Sequence, residues 1–302
     1  MSGSLAIGVD VGGTKILAGV VDRDGRVLRQ HERPTATASQ QDLVAELTAA
    51  VDELRDDGVG AIGFGIPATI DQRAGRVIRS VNIPLDDVPL QNVMRERYGI
   101  PVGLDNDANA AAIGEWRAGA GRGVETMIMV TLGTGVGGGL ILDGRPFRGT
   151  SGAGAELGHV VVEFDGPVCT CGGRGHIEAF AAGFAADRLA RGAFGGSASA
   201  HELVRLAAAG DGTARELLAG LGARLGAALG SFVNVFNPEL IVIGGGFGVA
   251  AWDYVIPAAE ERIWLEALAP ARDQVRVVAA ELGTAAGLIG AGFVAFEALD
   301  GQ

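Results

Sequence analysis

A glycine-rich turn between two apolar strands occurs twice in this chain, and it is the pattern that most limits what the chain can become. The first copy is Val9-Asp10-Val11-Gly12-Gly13-Thr14-Lys15; the second is Val130-Thr131-Leu132-Gly133-Thr134-Gly135-Val136-Gly137-Gly138-Gly139. In each, an apolar strand enters the turn and a second leaves it, Ile16 to Val21 and Leu140 to Leu142, ending in Asp22-Arg23-Asp24-Gly25 and Asp143-Gly144. Bare glycine amides approach phosphate oxygens closely and donate N–H bonds to them. Two such hairpins, about half a chain apart, predict two related domains facing one nucleotide. Ligand-free glycine hairpins exist too, but a plain turn needs two glycines, not the run of three at 137–139 behind Thr134.

The 302 residues allow two domains, and 48% hydrophobic residues allow a substantial core. The net charge of −12, with no Lys/Arg cluster, argues against nucleic-acid binding. The apolar run Leu5 to Val9 is stopped by Asp10, so no signal peptide is expected, and no apolar run reaches membrane-spanning length. Both cysteines lie in one short motif, which argues against a disulfide framework and for the cytoplasm.

Along the chain, Leu5 to Val9 reads as a buried strand, followed by two more ending near Arg29. Apolar residues at 43, 44, 47, 51 and 54 give Asp42 to Arg55 a helical period. Strands are expected at Ala61 to Ile66, Pro101 to Leu104, Met127 to Thr131 and Leu240 to Ile243. Helices are expected at Ala110 to Trp116, Ala179 to Arg191, Ala214 to Phe236, Trp252 to Leu265 and Thr284 to Leu299. Strands alternating with helices mean an α/β fold. The two hairpin-led halves predict two α/β domains with a cleft between them, hinged within one body. The boundaries are placed at residues 1–112 with 288–302 for a small domain, and 113–287 for a large one.

Three constellations carry chemistry. Asp105-Asn106-Asp107 closes a strand and opens a helix, where α/β proteins place ligands. A carboxylate there can take a proton from a hydroxyl nucleophile; equally, Asp107 or Asn109 can simply cap the helix. Glu156-Leu157-Gly158-His159 is followed by Cys169-Thr170-Cys171-Gly172-Gly173-Arg174-Gly175-His176-Ile177-Glu178. Two thiolates and two imidazoles make the donor set of a closed, structural zinc site, the glycines permitting the tight loop. Such a metal pins Glu156 and Glu178 on one wall, where two acceptor carboxylates suit a ligand with several hydroxyls. Finally, Gly133 to Gly138 fits G-x-G-x-x-G but leads into a strand, and the Gly246 to Ala251 match is weak, so a dinucleotide reading is disfavoured. His31 and His201 read as surface residues, and Trp116, Trp252 and Trp264 as core or interface anchors.

In their joint order, Asp10-Val11-Gly12-Gly13-Thr14-Lys15, Asn106-Asp107-Ala108-Asn109, Thr131 to Gly139, Glu156-x-x-His159 and Cys169-x-Cys171-Gly172 resemble the ROK family (repressors, open reading frames and sugar kinases), and within it the bacterial ATP-dependent glucokinases. The likeness runs from about residue 5 to 295. It implies the actin-like (ribonuclease H-like) sugar-kinase fold and transfer of the ATP γ-phosphate to a hexose hydroxyl, O6 of glucose. Asp107 matches the family's catalytic base. Asn106, Glu156, His159 and Glu178 match sugar-contacting positions, joined by Gly65 and Asn82 in the small domain. Asp10 matches the acidic residue near magnesium. Gly12, Gly13, Thr14, Lys15, Gly133, Thr134 and Gly135 match phosphate-turn positions, and Gly245 and Gly246 the adenosine-side turn. His159 also matches a zinc ligand, with Cys169, Cys171 and His176 completing the set.

The chain departs from the family pattern twice. His176 stands where most members carry a third cysteine, a swap that keeps a valid zinc ligand. Ala68 follows Pro67 where many relatives have glycine, which bears on hexose choice. The resemblance also names rivals: an N-acetylmannosamine, N-acetylglucosamine or fructose kinase, a polyphosphate-dependent glucokinase, and the family's sugar-responsive regulators. Only nine residues precede Asp10, so the regulators' DNA-binding domain is not expected here. A homodimer or tetramer, with no nucleic-acid or membrane partner, completes the expectation.

Overall fold

The computed structural model describes residues 4–80 and 82–301. The chain opens with β1 (Leu5–Val11), β2 (Lys15–Asp22), β3 (Val27–Pro34), α1 (Gln40–Asp52) and β4 (Val59–Ile66). A small meander follows: β5 (Thr69–Asp71), β6 (Arg76–Arg79) and β7 (Asp86–Val88). Then come α2 (Leu90–Tyr98), β8 (Val102–Asn106) and α3 (Asp107–Ala118). After these come β9 (Met127–Leu132), β10 (Val136–Leu142), β11 (Arg145–Pro146), a 3-10 turn at Leu157–His159, α4 (Glu178–Ala181) and α5 (Gly183–Phe194). The chain ends with α6 (Ala200–Ala208), α7 (Gly212–Phe236), β12 (Leu240–Gly244), α8 (Gly246–Ala250), α9 (Trp252–Glu266), α10 (Ala271–Gln274), β13 (Arg276–Ala279) and α11 (Ala286–Asp300). Two five-stranded sheets run β3-β2-β1-β4-β8 and β11-β10-β9-β12-β13.

The chain divides into a first unit of residues 1–123, 139–155 and 281–302, and a second of 124–138 and 156–280. These limits differ from the expected 112 and 288. A break at 112 would cut α3, which runs unbroken from Asp107 to Ala118.

In the first unit, β1 pairs antiparallel with β2 and parallel with β4, which pairs parallel with β8. Ile7, Val9, Ile62 and Phe64 enter one core with Leu43 and Leu47 of α1 and Leu90 and Met94 of α2. Gly8, Gly63 and Gly103 lie side by side on β1, β4 and β8. A Cβ on them would stand 2.1, 1.9 and 2.4 Å from the Leu288, Ala291 and Val294 carbonyl oxygens of α11. The glycine row thus lets α11 lie directly on sheet backbone. Gly290 of α11 repeats the device against α3, its Cβ falling 1.6 Å from Ala110 O.

In the second unit, β12 lies parallel between β9 and β13. Gly222, Gly226 and Gly230 of α7 recur every four residues, on one helix face. A Cβ on the first two would meet the Val255 and Ala259 carbonyls of α9 at 2.1 and 2.3 Å. The helix expected over 179–191 is two helices, because Ala182 is extended (φ −78°, ψ 163°).

Contrary to the expectation that no segment reaches spanning length, Gly212–Phe236 and Gly283–Asp300 are long and apolar enough to cross a membrane. Both are packed helices, α7 against α9 and α11 against α3 and the first sheet, which accounts for their apolar surfaces.

Candidate active site and metal centre

The strand ends of the first unit gather four of the expected site residues. Asp10 stands opposite Gly65 across β1 and β4, and Gly65 stands opposite Asp105 on β8. A Cβ on Gly65 would lie 3.0 Å from Ala110 Cβ, 3.6 Å from Asp107 Cα and 4.0 Å from Asp10 Oδ1. Burial, with the Asp107 charge adding to it and Lys15 opposing, raises the Asp10 pKa to about 7.

The cap of α3 is Asn106, not Asp107 or Asn109. Its Oδ1 accepts the Ala108 and Asn109 N–H groups at 2.9 and 3.2 Å. Its amide nitrogen donates to Ala68 O at 3.4 Å, so the residue after Pro67 touches this corner through its backbone. Asp107 is therefore the first helical residue, with Oδ1 accepting the Ala108 N–H at 2.9 Å. Asp105 has a different task. Wholly buried, it accepts from Arg148 Nε at 2.6 Å, from the Asn106 N–H at 2.8 Å and from Asn109 Nδ2 at 3.1 Å. Burial pushes its pKa up while the guanidinium pulls against it. Arg148 also donates to Glu297 at 2.7 Å.

The first glycine turn closes through Gly12 N–H to Lys15 O at 2.8 Å, with the Thr35 hydroxyl donating to Gly12 O at 2.7 Å and the Thr35 N–H to Thr14 O at 3.0 Å. Gly13 has open space where its Cβ would be. Lys15 pairs with Glu32 at 2.8 Å. Asn82 is exposed, its N–H donating to Ser80 Oγ at 3.2 Å.

In the second unit, the Gly133 N–H donates to Gly135 O at 3.0 Å. The turn is held by the α4–α5 junction: the Gly183 N–H donates to Gly133 O at 2.8 Å and the Phe184 N–H to Thr134 O at 3.3 Å. Glu178 is buried, and its Oε2 accepts the Val136 N–H at 3.1 Å. A Cβ on Gly135 would lie 2.5 Å from that oxygen. Gly135 is thus glycine because Glu178 occupies the space, a reason the motif alone does not show. Gly245 has φ +83°, and its Cβ would meet Leu132 O at 2.4 Å; Gly246 is unobstructed and starts α8.

His159, Cys169, Cys171 and His176 come together, with ligand atoms within 4.8 Å of one another. Cys169 Sγ is 3.7 Å from His159 Nδ1, and Cys171 Sγ is 3.2 Å from His176 Nδ1. Bonds of about 2.3 Å to sulfur and about 2.0 Å to nitrogen in a tetrahedral zinc site separate such ligands by about 3.5 Å, so the donor set fits. Gly172 and Gly175 adopt φ of +91° and +67°, which bends the loop back on itself. Burial pushes the Cys169 thiol up to about 11. His159 turns its other nitrogen, Nε2, toward Glu156 at 4.0 Å; Glu156 is half exposed.

The expected surface role of His31 is only partial: its Nδ1 lies 3.4 Å from Glu53 and its Nε2 is buried. Trp116 is buried. Trp264 is 52% exposed, with the Arg272 guanidinium stacked 4.3 Å from its ring centroid, so it anchors no core. The sequence reading missed Thr170, whose hydroxyl donates to Glu178 Oε1 at 2.6 Å, and Arg148. Its place between the two cysteines was a usable signal for Thr170; Arg148 gave none.

A family model described as "ROK family" matches residues 6–297. The chain belongs to the ROK family. A glucokinase of Thermotoga maritima is 36% identical over 98% of both chains. The crystal structure of a ROK hexokinase from Thermus thermophilus superposes with a TM-score of 0.86 at 36% identity, covering 99% of this chain and all of that one. A ROK glucokinase of Streptomyces griseus, solved in complex with glucose and AMPPNP, gives a TM-score of 0.83 at 35% identity over 96% of this chain and 99% of that one. The architecture is accordingly that of the ROK sugar kinases, the actin-like two-domain fold.

Proposed function

We propose that this ROK protein is an ATP-dependent glucokinase that transfers the γ-phosphate of ATP to the 6-hydroxyl of glucose. The observation that carries the reading is the β8–α3 corner: Asn106 caps the helix, Asp107 begins it, and the Asp107 charge acts on the carboxyl of Asp10. The full-length similarity to glucokinases supports the substrate class.

In this reading the sugar hydroxyl oxygen forms a bond to the γ-phosphorus, its proton passes to Asp107, and the bond to the β-bridging oxygen breaks, releasing ADP. Phosphoryl transfer of this kind depends on positioning and charge neutralisation. Asn106, Glu156, His159 and Glu178, with Gly65 and Asn82, bind the sugar. The turns at Gly12-Gly13-Thr14-Lys15 and Gly133-Thr134-Gly135 donate to phosphate oxygens, and Gly245-Gly246 receives the adenosine. Asp10 is the residue suited to magnesium, its carboxyl pKa raised by burial and by the Asp107 charge, with Lys15 opposing. Magnesium bound with the nucleotide supplies charge neutralisation at the phosphates. His159, Cys169, Cys171 and His176 would hold a zinc ion that fixes the loop, and the His159 ring, beside Glu156, would contact the sugar.

We assign the protein to the cytoplasm and to a homodimeric state, which light scattering of the purified protein checks. The test of the activity is ADP release from MgATP with glucose, fructose, mannose, N-acetylglucosamine and N-acetylmannosamine in parallel, and with polyphosphate replacing ATP. A dominant glucose signal with ATP is the expected result. A signal confined to an N-acetyl sugar or to polyphosphate reassigns substrate or donor, and no turnover with any pair overturns the kinase reading.

A further inference from the structure

The metal loop and the second glycine turn meet at one carboxylate. Thr170, between the two cysteines, donates its hydroxyl to Glu178 Oε1 at 2.6 Å, and the Cys169 thiol donates to the same oxygen at 3.3 Å. The other oxygen, Oε2, accepts the Val136 N–H at 3.1 Å, immediately after Gly133-Thr134-Gly135. Glu178 also begins α4, and the residues just beyond it, Gly183 and Phe184, donate to the Gly133 and Thr134 carbonyls. The loop that carries His176 therefore leads directly into the segment that holds the turn.

The Thr170 hydroxyl reaches Glu178 from between the two cysteines, so the conformation of the Cys/His loop sets the position of this donor on Oε1. Charge-assisted bonds of this length are the strong ones. We propose that Thr170 is a positioning residue: through Glu178 it couples the Cys/His loop to the turn at Gly133-Thr134-Gly135, so that metal loading is felt as nucleotide affinity. The proposal rests on the reading of that turn as a phosphate-binding element.

The test is calorimetric titration of magnesium AMPPNP into wild type, Thr170→Val, Thr170→Ser and Thr134→Val, with zinc content measured on each. Thr170→Val is expected to keep one zinc per chain and weaken AMPPNP binding about fivefold or more, while Thr170→Ser, which restores the hydroxyl, binds as wild type. Zinc stripped from wild type with a chelator is expected to weaken AMPPNP binding, and stripping Thr170→Val to weaken it less, because the link is already cut. Wild-type affinity in Thr170→Val with zinc retained overturns the proposal, as does equal loss in the valine and serine variants. Unchanged affinity in Thr134→Val overturns instead the reading of the turn; loss there with none in Thr170→Val overturns the link alone.

Discussion

Arg148 donates Nε–H to Asp105 across 2.6 Å, at a point where Asp105 has no exposed surface and lies two residues before Asp107. Removing one partner of a buried ion pair leaves the other as an unpaired charge, at about 3–5 kcal/mol. Arg148→Met is expected to lower unfolding free energy by about that much. Arg148→Met with Asp105→Asn should recover part of the loss. Urea denaturation of the cycle checks this, and additive losses would remove the pair from the account.

Asp107→Asn keeps the size of the side chain and removes its basicity. Turnover is expected to fall about 10²-fold or more, the usual scale for a lost general base, while glucose affinity measured by calorimetry stays within a few-fold. Near-normal kcat would assign the proton transfer elsewhere.

Asp10 makes stability depend on pH. Its pKa is about 7 in the folded protein against an ordinary 3.8, so folding favours the protonated form. The contribution is complete below about pH 4 and is lost as pH rises through 7, on the order of 4 kcal/mol for three units. Nucleotide-free wild type should therefore weaken between pH 5 and 8 relative to Asp10→Asn, which lacks this titration. Parallel denaturation curves for the two proteins across that range would contradict the shift.

The glycines separate into two kinds. Gly63→Ala puts a Cβ 1.9 Å from Ala291 O, backbone that cannot swing aside, and is expected to cost about 3 kcal/mol, the upper range for overpacking. Gly13→Ala meets nothing within 4 Å and should leave the melting temperature near wild type while weakening nucleotide binding. Thermal melts paired with AMPPNP titrations separate the two effects.

Cys171→Ser replaces a thiolate with a poor zinc ligand, and zinc by elemental analysis is expected to fall from one per chain to well below half. Glucose affinity should fall with it, because His159 loses its anchor. Full zinc occupancy in this variant would remove Cys171 from the ligand set.

What could be read from the sequence was local. The strand–glycine–strand hairpins, the strand into Asp105-Asn106-Asp107, and a Cys/His quartet drawn from residues 159 to 176 each have a short-range signature. What could not be read depends on partners distant in sequence. Nothing near Asp105 announces that its counter-charge comes from residue 148, or that Arg148 is shared with Glu297. Asn106, Asp107 and Asn109 are all acceptable caps by type, and only the backbone geometry chose Asn106. The meander β5-β6-β7, of three short strands, is too short and too polar for a period to stand out. Gly8, Gly63 and Gly103 look like weak points of apolar strands until α11 is laid over them.

Where α11 crosses that glycine row, peptide group meets peptide group, with no side chain between. The spacing is then set by covalent geometry, and no rotamer can turn to absorb a displacement. β1, β4, β8 and α11 are therefore expected to move together, and Asp10, two residues beyond Gly8, with them. Backbone amides at the crossing should be among the last in the first unit to exchange with deuterium, and they should do so together.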